Sequence, residues 1–379
     1  MTWIETTLGE VLPFKYGKNL PAAKRSHSGE FDVVTSAGVV DSHFEPFVTQ
    51  PSVVIGRKGT IGSLTYCAEP CWPTDTTFFT TGSDACDLRF GYYFLQTVPL
   101  AEMNNDSAVP GLNRGEAEAL PIRIHELSEQ KRVGSLLGSL DTKIEANQLA
   151  IRAGHDLLLA LYEAAPKRTT ESFEQVCGVF GGSTPSTKRS EFWGGGIQWA
   201  TPTDLTALKG PWLTGTERTI TDAGLQSMSS SLHPEGSILM TSRATIGSVA
   251  LAAEPVATNQ GFIVVRASEE LTPWIFCQLQ ERVREFEAWS NGATFLELSR
   301  GNFKKLSFHR AEPGALEAFN QKAWPILQMC KAKQAENVCL AKTRDELLPL
   351  LMSGKITVKE AEQEASAAGA DIASEENKA

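Results

Sequence analysis

The pattern of apolar and polar positions divides the chain into two kinds of stretch. From Val133, apolar or small residues recur at alternating steps of four and three: Val133, Leu137, Leu140, Ile144, then Ile151, Gly154, Leu158 and Leu161, with Asn147 in the remaining place. This heptad seam predicts one helix from about Glu126 to Ala165, stopped by Pro166, whose ring disfavours helix in the residue before it. At 1.5 Å per residue, roughly 40 helical residues make a rod about 60 Å long, more than an ordinary globular helix needs. A second long helix is predicted from about Gly314 to Ser353, with a seam of Phe319, Ala323, Ile326, Cys330, Lys333, Asn337, Leu340, Arg344, Leu347 and Leu351. Elsewhere, short apolar and β-branched runs punctuated by Gly and Pro (FDVVTSAGVV, PSVVIGRKGTIGSLTYCAEP, GSILMTS, GFIVVRA) predict strands. Further helices are expected near LRFGYYFLQT and from Pro273 to about Trp289.

The two halves repeat. Adding 185 to the residue number carries Thr60, Ile61, Gly62 and Ser63 onto Thr245, Ile246, Gly247 and Ser248, and with no gap carries Glu69 and Pro70 onto Glu254 and Pro255. With one residue more, Arg114 and Gly115 fall on Arg300 and Gly301, and a long helix follows each within about a dozen residues. Hairpin, Arg-Gly pair and helix in one order indicate a duplicated unit. Asn147 and Asn337 each lie near the middle of their seams, so in an antiparallel pair the two amides would meet and fix the register; the alternative is a wet edge position for either.

Composition adds boundaries. A chain of 379 residues, 41% hydrophobic and 21% charged, has room for two or three domains with cores of their own. No apolar run approaches the length of a membrane span, and MTWIETTLGE lacks the layout of a signal peptide, so the chain is read as cytoplasmic with no membrane partner. The seven cysteines are scattered without a CxxC pair, which suits reduced thiols and gives no metal site. The net charge of −10 argues at first against a polyanionic partner, but residues 360–379 alone hold −5 of it, which leaves the body mildly acidic. That acidic tail is read as mobile.

Two motifs suggest binding chemistry. VVIGRKGTIGS is a strand entering a tight glycine-containing turn and leaving as a strand, with Arg57 and Lys58 at its tip, suited to phosphate or a guanine edge. Its counterpart MTSRATIGS keeps Arg243 beside Ser242 and Thr245; the competing reading is a merely solvated hairpin. GGSTPSTKRSEFWGGGIQWATPTDL is too rich in Gly, Thr and Pro for a helix and offers hydroxyls with Lys188 and Arg189. The matching opening of the first half, FKYGKNLPAAKRSHSGEFDVVTSAG, carries Lys15, Lys18, Lys24 and Arg25 instead. No phosphate loop, HExxH, GxSxG, dinucleotide fingerprint or methyltransferase Asn-Pro-Pro-aromatic motif occurs, so the chain is not read as an enzyme.

These residues resemble the specificity subunit of type I restriction-modification systems over essentially residues 1–358. GGSTPSTKRSEFWGGGIQWATPTDL looks like the start of one target-recognition-domain subfamily, and VVIGRKGTIG followed by WPTDTTFF like another. ELSEQKRVGSLLGSLDTKIEANQ is similar to the family's first conserved helix and ELLPLLMSGKITV to the end of its second, although FHRAEPGALEAF lacks the usual Glu-Gln pair. The resemblance implies a mixed α/β fold with a pseudo-twofold internal repeat, in which two β-rich target-recognition domains (1–125 and 167–312) are separated by two long antiparallel coiled-coil helices (126–166 and 313–354), with an acidic tail at 355–379. Each domain would read one half of a split site in double-stranded DNA, and the helix pair would set the spacer. The partners implied are two methyltransferase subunits, which hold S-adenosylmethionine, and restriction subunits, which use ATP and Mg; no cofactor is expected on this chain.

On that reading the DNA-binding candidates are Lys15, Lys18, Arg25, Arg57, Lys58, Thr60 and Arg114 in the first domain. In the second they are Thr184, Lys188, Arg189, Ser242, Arg243, Thr245 and Arg300, with Arg57 and Arg243 the best placed for base edges. A rival reading is a non-catalytic scaffold whose two β-rich domains bind peptides or glycans on a coiled-coil rod, which the acidic total and the tryptophans would fit. Enzymatic chemistry in the domain clefts is a weaker rival, since it lacks a recognisable catalytic set.

Overall fold

The computed structural model describes residues 3–103, 111–243, 245–290, 297–312 and 314–369, and its contacts divide the chain into two units, 1–143 with 339–379, and 144–338. In the first, β1 (Trp3–Thr7) runs antiparallel to β9 (Pro121–His125) and ties the start of the unit to its end. The wholly buried runs β5 (Ser52–Gly56) and β8 (Thr77–Thr80) form the middle of an antiparallel sheet flanked by β2 (Lys15–Tyr16) and β6 (Leu64–Cys67). A second sheet pairs β3 (Phe31–Thr35) antiparallel with β4 (Gly38–His43) and parallel with β7 (Cys71–Pro73). The short helix α1 (Leu8–Val11) opens on a Thr7/Glu10 capping box, α2 (Leu88–Gln96) is capped by Asp87, and α3 (Arg114–Glu118) by Asn113, each satisfying backbone amides that have no intrahelical acceptor. The long helix α4 (Leu127–Ala164) then passes into the second unit.

The second unit repeats this topology. β10 (Lys167–Ser172) pairs with β19 (Ser307–Ala311) as β1 does with β9. The larger sheet runs β11 (Gly178–Gly181), β18 (Phe262–Arg266), β15 (Ile238–Thr241) and β16 (Val249–Ala252), with β13 (Trp212–Leu213) added on the outside. The smaller one runs β14 (Arg218–Ile220), β12 (Trp193–Ala200) and β17 (Val256–Thr258). Short helices α5 (Phe173–Val176), α6 (Pro202–Thr206), α7 (Asp222–Gln226), α8 (Thr272–Glu281), α9 (Val283–Ala288) and α10 (Arg300–Lys305) join them. α11 (Ala315–Met352) then returns to the first unit, and α12 (Val358–Ala367) follows it. No helix among the described residues is long and apolar enough to cross a membrane.

Three expectations need correction. The helix expected over Pro273 to Trp289 is two helices, because the chain leaves helical geometry at Arg282 (φ −99°, ψ 18°). The guanidinium of that buried residue is satisfied by Glu285 at 2.7 and 2.8 Å and by the Ser307 carbonyl at 2.6 Å. The stretch expected to lack helix holds one 3-10 turn, Ser190–Phe192, and runs into α6, where Pro202 occupies the first turn and Thr201 and Asp204 form a capping box. The acidic tail is not uniformly mobile, since Thr357 and Glu360 form a capping box for α12, which buries Val358, Ala361 and Ala365; Asp371, Glu375, Glu376 and Lys378 lie outside the described residues.

The repeat is one of hydrogen bonds as well as strands. Arg57 N donates to Thr76 O at 2.9 Å and Arg57 O accepts from Leu112 N at 2.9 Å; Ser242 N donates to Gly261 O at 2.8 Å and Ser242 O accepts from Leu298 N at 2.9 Å. Gly62 and Gly247 close the two hairpins at φ +75° and +89°, a conformation that excludes side chains. Gly17 and Gly182 press against equivalent backbones: a Cβ at either would fall 2.0 Å from Thr74 O or 2.1 Å from Asn259 O. An indole covers each of these approaches from a different strand. Trp72 Nε1, on β7, donates to Lys18 O at 2.8 Å, and Trp199 Nε1, on β12, donates to Ser183 O at 3.1 Å. Trp72 sits opposite Val33 across the parallel strand pair, and Trp199 sits opposite Ala257. The large side chain has thus changed strands while its hydrogen bond has kept its place.

The long helices run antiparallel. In the second unit Asn147 Nδ2 donates to Asn337 Oδ1 at 3.0 Å and to Glu336 at 2.8 Å, while Asn147 Oδ1 accepts from Lys333 Nζ at 2.8 Å. In the first, Arg344 bonds Asp141 at 2.6 Å, Tyr93 on α2 bonds the same carboxylate, and His125 Nε2 donates to Leu351 O at 3.0 Å. Val133, Leu137, Leu140, Ile151, Leu158, Phe319, Leu340, Leu347 and Leu351 are buried seam positions, whereas Ile144 and Ile326 are half-buried. Leu136, Leu327, Gln334 and Leu348 are buried off the seam. The buried stripe is wider than two heptad positions because each helix also packs on a β domain: Leu327 joins the core with Ile238, Trp274 and Phe286.

Candidate nucleic-acid interface

In the first unit the hairpin tip carries its cations onto aromatic faces. The Arg57 guanidinium lies 5.1 Å from the Tyr16 ring centroid and 5.6 Å from that of Phe78, and reaches Asp75 O at 3.5 Å. Arg114, at the start of α3, is 6.0 Å from the same Tyr16 ring and pairs with Glu118 at 3.0 Å. Lys58 and Thr60 are exposed beside them. Arg57 and Arg114 therefore make one group around Tyr16, which is 52% exposed and offers a stacking face, while Lys58 and Thr60 follow Arg57 along the hairpin. Lys18 forms a second group, its ammonium 5.5 Å from Phe47 and 5.4 Å from Trp72, while Lys15 on the edge strand reaches Thr81 Oγ1 at 3.5 Å. Arg25 is turned elsewhere, onto Leu20 O at 3.3 Å and Asp41 at 3.9 Å. The Asp41 carboxyl is held below the usual carboxylate range first by the Ser42 amide, then by His27 and Arg25.

The equivalent place in the second unit is a cleft of about 420 Å³ lined by Gly181, Ser242, Gln260, Glu297 and Arg300 among others. Arg300 Nε lies 3.0 Å from where a Cβ on Gly181 would be, so the glycine at the position of Tyr16 makes room for an arginine. Thr184 Oγ1 donates to Gln260 Oε1 at 2.6 Å, and Arg243 packs on Gly261 while its backbone bridges to Glu297. Ser242 is buried, whereas Lys188 and Arg189 stand exposed on the preceding loop, Arg189 lying 5.3 Å from the Phe192 ring. Thr245 is on the far side of the hairpin and lines a different cavity, against α4. The structure thus gathers Thr184, Ser242, Arg243 and Arg300, and leaves Lys188, Arg189 and Thr245 apart.

Some exposed groups had no distinctive signal in the sequence. Arg218 lies 3.5 Å above Trp193 and 5.5 Å from Trp199, with the two indoles edge to face, so the tryptophans are joined by a cation that is distant in sequence. Tyr16 acquires its importance from Arg57 and Arg114, which reach it only after folding. Only the shared framework of FKYG and VFGG, each ending on the closely packed glycine, points to the position.

Comparison with known proteins gives the family. The sequence profile of the type I restriction modification DNA specificity domain matches residues 1–153 and 169–310, once over each repeat. The chain is 37% identical over 138 residues to the specificity subunit of the type I restriction enzyme MjaIX of Methanocaldococcus jannaschii, a match covering 36% of this chain and 32% of that protein. It is 26% identical over 179 residues to the HindI specificity subunit of Haemophilus influenzae, covering 46% and 39%. The matched stretches therefore span only about a third of the length of these relatives. The type I restriction-modification S subunit from M. genitalium shares the fold, with a TM-score of 0.65 over 93% of this chain and 96% of that one at 12% identity. With its profile matched across both repeats, the chain belongs to the type I restriction modification DNA specificity domain family.

Proposed function

We propose that this chain is the sequence-specific DNA-binding subunit of a type I restriction-modification complex, acting in the cytoplasm with no catalytic groups of its own. Each unit reads one half of a bipartite site through its hairpin tip and neighbouring loops. The helix pair sets the spacer and docks two methyltransferase subunits, which bring S-adenosylmethionine, while restriction subunits bring ATP-driven cleavage. The supporting observation is one backbone scaffold presented twice with different side chains at equivalent positions: Tyr16 against Gly181, Arg57 against Ser242, Lys58 against Arg243. A protein that bound the same ligand twice would have no reason to vary these positions while keeping the hydrogen bonds beneath them.

Copurification of an adenine methyltransferase with the tagged chain, followed by methylation mapping of host DNA, tests the reading. Two dissimilar half-sites at fixed spacing are expected; an unmethylated genome with no copurifying methyltransferase would overturn it. At residue level, Arg243→Ala is expected to weaken cognate binding by about 1–3 kcal/mol and relax one position of a single half-site. A binding titration with unchanged affinity and preference would remove Arg243 from the interface.

A further inference from the structure

The second repeat is longer than the first at one place. Between β3 and β4 the first unit has only Ser36 and Ala37, whereas between β12 and β14 the second has residues 201–217, which make α6 and β13. This segment is fastened to α11. Trp212 N donates to Gln334 Oε1 at 3.1 Å, Gln334 Nε2 donates to Trp212 O at 2.8 Å, and the Trp212 indole donates to Leu327 O at 2.8 Å. Held there, it walls a cavity of about 820 Å³ within the second unit, against α4, α8 and the hairpin between β15 and β16.

The cavity's chemistry is one-sided. Ile151, Leu205, Val249, Phe276 and Val283 supply an apolar floor. Arg152 and Lys209 are both exposed and line it, and among the described residues neither has a hydrogen-bond or ion-pair partner. Among the described residues no Asp or Glu lines it, in a chain with 45 acidic residues against 35 Lys and Arg. Deeper in, His155 Nε2 lies 2.7 Å from Gln280 Oε1 and must donate to it, which leaves Gln280 Nε2, a buried donor, with no acceptor. That amide is closed off from the cavity, whereas the two unpaired cations at the rim are open to an acceptor carrying negative charge. The volume lies within the range of small-ligand sites.

We propose that this cavity binds a phosphate-bearing ligand, its oxygens on Arg152 and Lys209 at the rim and its remaining part on the floor around Phe276. The site is separate from the recognition cleft at Ser242 and Arg300, so its failure would leave the DNA reading standing. The same chemistry has two sources, a free nucleotide or a phosphate of duplex DNA outside the half-site.

The test titrates the full chain with pyrophosphate, with ADP and with a short duplex of arbitrary sequence. Arg152→Ala and Lys209→Ala are each expected to weaken at least one of these about tenfold, with Lys322→Ala, on an exposed part of α11, unchanged. Melting curves of the exposed-site variants should match the parent, which separates lost binding from lost folding. Saturable ADP binding that the duplex does not compete identifies a free nucleotide. An effect confined to the duplex, with its salt slope reduced by about one, identifies a backbone phosphate. If no probe saturates, or the Arg152 and Lys209 variants bind as the parent does, the proposal fails.

Discussion

The two repeats solve one folding problem with different side chains. Gly17 and Gly182 bring a loop onto the backbone at the same place, and each approach is held by an indole hydrogen bond, yet the indole comes from β7 in one unit and β12 in the other. A further exchange lies beside it. Val48 bridges to Cys71 in the first unit, and 185 residues on His233 bridges to Val256 through the same pair of amides. Backbone geometry is kept where it fixes the hairpins, while side chains are free wherever another arrangement fills the volume. What the scaffold shares is its hydrogen-bond ladder.

The comparison can be broken most forcefully at the indoles. Trp72→Ala and Trp199→Ala should each cost about 3–5 kcal/mol, and hydrogen exchange should show the loss confined to the unit that carries the change. Adding Val33→Trp to Trp72→Ala places the large side chain on the strand used by the second unit. Partial recovery would show the two arrangements to be interchangeable, and no recovery would show that they are not.

Next comes His233, buried beside Arg266, whose guanidinium donates to Nδ1 at 2.7 Å. Burial, and then the Arg266 charge, push its pKa down from 6.5 to about 4. The native state therefore refuses a proton that the unfolded chain accepts. No penalty exists above about pH 6.5, and stability of the second unit falls as the pH drops from there toward 4, by at most about 3 kcal/mol. The first unit, with Val48 at that place, lacks this term. Denaturant titrations of the parent and His233→Val across this range should converge at neutral pH and diverge in acid; parallel curves would discount the histidine.

Asn147→Ala is a smaller change, expected to cost about 2 kcal/mol by leaving the Lys333 and Glu336 side chains without their shared amide. If Asn147→Leu proves as stable and equally uniform in register by cross-linking, the amide does not specify the pairing. Lys18→Ala should be the mildest, leaving folding intact and lowering the salt slope of DNA binding by about one.

The sequence made some of this legible for definite physical reasons. The offset of 185 is visible because only glycine tolerates the backbone at Gly62 and Gly247, and the long helices are visible because a seam must repeat. The equivalence of β2 and β11 is hidden, since an edge strand of two residues in one unit and four in the other carries no periodicity. The break at Arg282 was hidden because its cause, the Ser307 carbonyl, is supplied by a strand 25 residues away. In the candidate site the cations could be found as residue types; the aromatic face that unites Arg57 with Arg114 is a product of folding.

The placement of Trp72 has an optical consequence. Of eight tryptophans only Trp3 and Trp72 belong to the first unit, and Trp3 stacks on His125 at 4.1 Å, a ring that quenches indole emission when protonated. The Lys18 ammonium, 5.4 Å from Trp72, is likewise a quencher that a phosphate would draw away. On the proposed function, the difference in emission between the parent and Trp72→Phe, followed during titration with DNA, should therefore brighten as DNA reaches the first unit, an unlabelled reporter of one domain's occupancy in a molecule that has two.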